Sequence, residues 1–175
     1  MRKRSFALLS LPLLLGACAQ MPAPSSPNSA AVAAARSQAA EQTAELAQER
    51  LAAAAAQRHA AEARFCPDWQ DALQIVRRDA VGCVQGSSSD QSACWDAVSH
   101  WASAKGEYYA ALGRLFAGHS YAAPSAAAAN FFRNTATWAL TCREGTQNCL
   151  QAAQDSTMQS DKQQVNDFCA SQAQR

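Results

Sequence analysis

Apolar residues recur every three or four positions through much of the second half of the chain, which is the spacing of one face of an α-helix. The clearest case is segment 91–117, where one face carries Cys94, Val98, Trp101, Tyr108, Leu112 and Leu115. The alternation of apolar and polar residues that is typical of a half-buried strand is almost absent. The pattern therefore predicts an all-α fold, with segment 91–117 as its most apolar helix.

A second apolar stripe on this predicted helix consists of Trp95, Ala102, Tyr109 and Phe116, which recur every seven residues. A helix with two such stripes either lies centrally among neighbouring helices or shows one stripe to a partner protein. Both arrangements agree with the pattern. In the second one, Trp95, Tyr109 and Phe116, together with Tyr121 of the following connector, are the candidate partner-binding residues.

Four further helices are predicted around this one. A helix over 67–81 begins with Pro67, a favourable first helical residue, and ends before the loop at 86–89. Another helix covers 124–143, and a short helix follows over 146–155. The last helix is expected to begin after Asp161, whose carboxylate can cap its first turn.

Residues 31–64 contain neither Gly nor Pro, and about half of them are Ala, the residue with the highest helix propensity. The composition predicts one helix about 50 Å long at ~1.5 Å per residue. One heptad column consists of Ala alone, but a second is interrupted by Ser37 and Arg58. The segment 31–65 is therefore interpreted as a solvated stalk, with self-association as a coiled coil, and hence a homo-oligomer, as the alternative.

The first residues of the chain carry a different pattern. Three basic residues at 2–4 precede the apolar run 6–15, which is too short to span a bilayer and is typical of a cleaved export signal. Residues 15–18, Leu-Gly-Ala-Cys, resemble the lipobox of bacterial lipoproteins. That resemblance, which covers 1–18 only, implies that residues 1–17 are removed and that Cys18 is acylated.

The same resemblance implies a location. Three acyl chains on Cys18 would hold the protein in a lipid bilayer more firmly than a single chain, which gives only marginal binding. Ala19 follows the cysteine, and in this family the absence of Asp at that position implies the outer membrane. Residues 18–30, with three prolines, are expected to form an extended tether on the periplasmic side.

Six cysteines remain in the expected six-Cys helical domain, residues 66–175, and in an exported chain they are expected to form disulfides. If 67–81 is one rigid helix, Cys66 and Cys83 lie about 25 Å apart and cannot pair, because bridged Cα atoms lie within ~7 Å. Of fifteen possible pairings, the simplest joins residues that flank helix turns and the two ends of the domain: Cys83 with Cys94, Cys142 with Cys149, and Cys66 with Cys169.

Charge and candidate chemistry narrow the function. Without its signal the chain has slightly more acidic than basic residues, which argues against nucleic-acid binding. Asp96 and His100 are spaced like metal ligands, but no HExxH motif accompanies them. His119 and Ser120 lie together in a connector without the GxSxG motif of hydrolases. The sequence therefore predicts no catalysis, metal or cofactor.

These observations favour an outer-membrane lipoprotein whose disulfide-stapled bundle binds another envelope protein. In general layout it is similar to the secretin pilotins, lipidated helical domains that deliver or hold secretion-channel subunits; that similarity is one of architecture alone. An assembly factor for secretion or conjugation fits the same layout. The alternatives are an exclusion, immunity or inhibitor lipoprotein, or an envelope spacer that oligomerises through residues 31–65.

Overall fold

The computed structural model of the chain describes residues 29–86, 88–145, 149 and 155–174, which form four helices and contain no strand. Because Ala, Gln, Glu and Arg dominate the exposed positions, helix propensity and the apolar pattern agree along most of this length. The helices are α1 (Ser29–Gln85), α2 (Ser88–Leu115), α3 (Ala122–Glu144) and α4 (Ser156–Gln172). The predicted all-α fold class is confirmed.

Helix α1 does not end before Pro67, as the sequence predicted, but continues through it. A proline inside a helix costs about 3 kcal/mol, because it lacks an N–H and crowds the preceding turn. Here Phe65 and Trp69, on either side of it, are both fully buried in the same core. Burial of two large aromatic side chains contributes more than the proline costs, so tertiary packing overrides the local break.

The chain divides into two units, Met1–Leu46 and Ala47–Arg175. In the first unit, nearly all residues from 31 onward are exposed, including Leu46. The second unit contains the rest of α1 and the other three helices, with the buried core that they share. The boundary predicted between stalk and domain at residues 65 and 66 is not tested by this division and stays a prediction.

Two apolar clusters make up the core of the second unit. The larger cluster is centred on aromatic side chains that pack mostly edge to face, namely Phe65, Trp69, Tyr109, Phe116 and Phe132. The smaller cluster gathers two disulfides and a tryptophan pair, and its buried members are Cys83, Trp95, Val98, Ala139, Cys142 and Cys149. Aromatic contacts of this geometry stabilise a core beyond the area they bury.

Helix α4 begins earlier than predicted, and a different aspartate caps it. The Asp155 carboxylate accepts hydrogen bonds from the backbone N–H groups of Thr157 and Met158, at 2.7 and 3.2 Å. Asp161, which was the predicted cap, lies inside the helix with one buried carboxylate oxygen. The short helix predicted over 146–155 falls mostly outside the described residues.

Candidate functional site

Three disulfides fix the second unit, and they are the set that was predicted as the simplest pairing. Their Cα–Cα distances are 5.6 Å for Cys66–Cys169, 5.4 Å for Cys83–Cys94 and 4.2 Å for Cys142–Cys149. The first bridge closes a long loop by joining α1 to α4. The other two join the ends of consecutive segments beside the smaller core cluster. Any surface of the bundle is therefore carried on a cross-linked framework.

The aromatic residues proposed as partner-binding candidates lie inside the bundle instead. Tyr109 and Phe116 are fully buried and Trp95 is 4% exposed, because α2 packs centrally among its neighbours. Tyr121 is half-buried, and its ring contacts Phe116 and Phe168 at centroid distances of 5.1 and 4.8 Å. The stripe of Trp95, Tyr109 and Phe116 therefore belongs to the core, and a partner surface must be formed mainly by other residues.

A charged cleft of about 620 Å³ lies between α1 and α2. Its polar side chains include Arg64, Asp68, Asp71, Lys105 and Tyr108, above an apolar floor that includes Ala72 and Leu112. The Tyr108 hydroxyl donates to the Asp68 carboxylate at 3.0 Å, and Arg64 pairs with the same carboxylate at 3.5 Å. The Lys105 ammonium lies 5.3 Å from the Tyr108 ring.

These contacts pair Arg64 with Asp68 and place the Lys105 ammonium near an aromatic ring. Partial burial, followed by the neighbouring Asp68 carboxylate, raises the pKa of Tyr108, so the phenol stays a neutral donor at physiological pH. Beneath it, Tyr109 is fully buried and its hydroxyl has no hydrogen-bond partner. Burial raises the pKa of Tyr109 as well, with Tyr108 as the second cause. The cleft is therefore a partly paired charged surface, with one buried hydroxyl beside it that has no hydrogen-bond partner.

A second concavity, the apolar groove, measures about 350 Å³ and lies over the smaller core cluster. Its lining includes Val81 and Val84 of α1, which are about half exposed, and Trp95 and Trp138. The Trp138 indole N–H donates to the Cys149 carbonyl at 2.9 Å, which fixes the ring at the edge of the groove. Two exposed valines beside a tryptophan form a small apolar patch on the surface of the second unit.

A third concavity, the basic groove, measures about 330 Å³ and lies where α1, α3 and α4 meet. Its lining combines two cations, two amides and an apolar floor: Gln70, Leu73, Gln74, Val76, Arg77, Phe131 and Lys162. Among the residues that the structure describes, neither Arg77 nor Lys162 has an ion pair. Sequence reasoning missed this groove, because its two cations come from different helices.

The residues considered for chemistry do not converge. Asp96 forms an ion pair with Arg143 at 2.8 Å, and His100 and His119 are exposed. Within residues 29–86, 88–145, 149 and 155–174, no group of three or more metal-ligating side chains comes together. None of the helices in those ranges contains an apolar stretch long enough to cross a membrane.

Cys18, the predicted acylation site, and the tether 18–30 up to Asn28 lie outside the described residues, so the lipid anchor stays a prediction. Comparison of the chain with protein-family models, with curated proteins and with solved structures found no match. The residues of the second unit and their grooves are therefore the basis for the functional inference.

Proposed function

We propose that this protein is an outer-membrane lipoprotein that acts as a non-catalytic module for binding another envelope protein, in the manner of a pilotin or of a secretion- or conjugation-associated assembly factor. The observation that carries the proposal is the complete pairing of the six cysteines after Cys18 within the chain. Paired cysteines are typical of chains exported past the reducing cytosol, which agrees with the lipobox-like residues 15–18.

The surface of the bundle supports a binding role. The second unit presents several concave surfaces on a framework held by three cross-links, and a rigid surface loses little conformational entropy when it binds. Of the candidate acids and bases, by contrast, Asp96 is already paired with Arg143, and His100 and His119 are exposed. A protein partner that fills one of the grooves is the simplest use of this arrangement.

Two measurements on the full-length tagged protein test the proposal. Mass spectrometry of the N-terminal peptide is expected to find acylated Cys18, and fractionation is expected to place the protein in the outer membrane. Affinity purification from detergent-solubilised envelopes is expected to recover a protein partner, and Cys18→Ser is the control that prevents acylation. Unmodified Cys18, or an envelope purification without any protein partner, would refute the proposal.

An envelope spacer is the second candidate, and the exposed leucines of α1 favour it. Leu46 is 54% exposed and Leu51 is 71% exposed, on a helix whose other residues there are largely Ala. Such side chains are often covered in a coiled coil. Analytical ultracentrifugation of the mature protein distinguishes the two functions, since a monomer at tens of micromolar excludes a spacer built by self-association. An immunity or inhibitor role would instead appear as capture of an incoming toxin or enzyme.

A further inference from the structure

The basic groove opens beside the most firmly held contact between α1 and α4. The Cys66–Cys169 disulfide joins these helices, and one turn further along both of them Trp69 donates a hydrogen bond to Asn166. The groove begins directly after this hydrogen bond, at Gln70. Its walls are therefore fixed relative to one another by a covalent bond and a hydrogen bond, which makes it a preorganised surface.

The two cations of the groove are not neutralised by the part of the chain that the structure describes. Neither Arg77 nor Lys162 has an acidic residue three or four positions away on its own helix, where helical ion pairs form. The adjacent Arg78, by contrast, pairs with Asp79 at 2.8 Å. Asp161, which precedes Lys162, is not among the groove's lining residues. Arg77 and Lys162 thus give the groove a net positive charge.

The remaining lining residues narrow the chemistry of the occupant. Phe131 is almost fully buried at the base, while Leu73 and Val76 are half-buried and leave apolar surface open to a ligand. Gln70 and Gln74 each supply an amide that both donates and accepts, as a peptide backbone requires. A volume of about 330 Å³ lies near the lower limit for ligand pockets, and it suits one or two side chains better than two acyl chains.

We propose that the basic groove binds a peptide segment of the partner protein that carries an acidic residue next to a large apolar one. The carboxylate would bind Arg77 and Lys162 through charge-assisted hydrogen bonds. The apolar side chain would lie on Leu73, Val76 and Phe131. This inference rests on the proposed binding function and names the surface and the chemistry through which that function would operate.

A random 12-residue peptide library, selected on the immobilised, detergent-solubilised full chain, tests the groove without knowledge of the partner. The peptides recovered are expected to be enriched in Asp or Glu beside Leu, Phe or Trp. Their affinity is expected to fall at least about tenfold in R77E/K162E, because two charge-assisted contacts become repulsive. The matched control R50E/R78E makes the same change in net charge outside the groove and should stay within about twofold of the wild type.

Circular dichroism and the melting temperature establish that each variant is folded, and R77Q/K162Q provides a milder pair if the charge reversal is not tolerated. Neutral or basic peptides, a selection without enrichment, or equal binding by R77E/K162E would overturn the proposal. The proposal would also be overturned if R77E/K162E abolished binding to phosphatidylglycerol vesicles, or abolished self-association, and left peptide binding unchanged. If envelope purification recovers a partner that R77E/K162E binds as well as the wild type does, the basic groove is not the binding surface. The proposed binding function would still stand in that case.

Discussion

The Trp69 indole N–H donates to the Asn166 side-chain carbonyl at 2.9 Å, across the contact between α1 and α4. Trp69 is fully buried, so its N–H has no access to water. The same ring contacts Tyr109, Phe131 and Phe132, which come from α2 and α3. One side chain thus joins four helices, and its single polar atom depends on one partner.

Replacing Asn166 with Ala is expected to lower the free energy of unfolding by about 1–3 kcal/mol, because a buried donor loses its acceptor. Urea denaturation followed by circular dichroism measures the change. Asn130, an exposed residue of α3, provides the control, and N130A should stay within about 0.5 kcal/mol of the wild type. An N166A variant as stable as N130A would show that the hydrogen bond contributes nothing.

The three disulfides are expected to differ in their contribution to stability according to the loop that each closes. Cys66–Cys169 spans 103 residues, whereas Cys83–Cys94 spans 11. In the chain-entropy model, C66S/C169S should cost about 4–5 kcal/mol and C83S/C94S about 3 kcal/mol. Melting temperatures of the two double variants give the order, and the reverse order would contradict the model. Peptide mapping without reduction checks the pairing itself.

The disulfide set could be predicted because local geometry accounts for two of its bridges, which leaves Cys66 and Cys169 as the remaining pair. A rigid helix between Cys66 and Cys83 keeps them apart, and short turns bring the other neighbours together. The break before Pro67 was a wrong prediction for the opposite reason. Its local cost is visible in the sequence, while the burial of Phe65 and Trp69 that outweighs it depends on helices far away in the chain.

The surface of the bundle was harder to predict than its fold. Tyr108 and Tyr109 are adjacent, yet Tyr108 is 38% exposed and Tyr109 is fully buried. Both lie on apolar stripes, so periodicity alone does not say which stripe faces the neighbouring helices. The basic groove had one readable signal, the absence of acidic residues three or four positions from Arg77 and Lys162, but only the structure brings these two cations together.

Tyr109→Phe is expected to raise the free energy of unfolding by about 1 kcal/mol, because the variant removes a buried hydroxyl that has no hydrogen-bond partner. Tyr108→Phe is the matched comparison, since it removes a hydroxyl that donates to Asp68 and should cost about 0.5 kcal/mol. Urea denaturation of both variants at neutral pH provides the measurement. A Y109F variant less stable than Y108F would show that the Tyr109 hydroxyl has a partner.

The stability advantage of Y109F over the wild type should also depend on pH in alkali. Burial raises the pKa of Tyr109 above its ordinary value, so only the unfolded chain ionises this phenol as the pH passes about 10. The stability that Tyr109 contributes through its raised pKa is therefore complete below about pH 10, and it is lost as the pH rises further. The advantage of Y109F over the wild type should therefore grow between pH 9 and pH 11, and an advantage that is constant with pH would contradict this account.

Asp155→Ala is expected to lower the melting temperature, because the carboxylate caps the first turn of α4. Hydrogen bonds from the backbone N–H groups of Met158 and Thr157 lower the pKa of Asp155 below its ordinary value. The stabilisation is therefore complete above the unfolded pKa, near 4, and is lost as the pH falls through the folded value. Melting curves between pH 2 and pH 7 should show the two proteins converging in acid.

Asp161→Asn is expected to have the opposite effect at neutral pH. Burial, followed by the nearby Asp155 carboxylate, raises the pKa of Asp161, and one of its oxygens is buried without a hydrogen-bond partner. The folded state therefore disfavours the charged form of Asp161, which lowers the stability of the fold. This loss of stability is complete above the pKa of Asp161 in the folded state and disappears as the pH falls below its pKa in the unfolded chain. D161N should melt above the wild type at pH 7 and level with it near pH 3. Asp155 and Asp161 lie six positions apart on the same helix end, so the two variants compare a capping carboxylate with a buried one. At pH 7 the melting temperature is expected to fall in D155A and to rise in D161N. A fall in both variants would show that the fold needs Asp161 in its charged form.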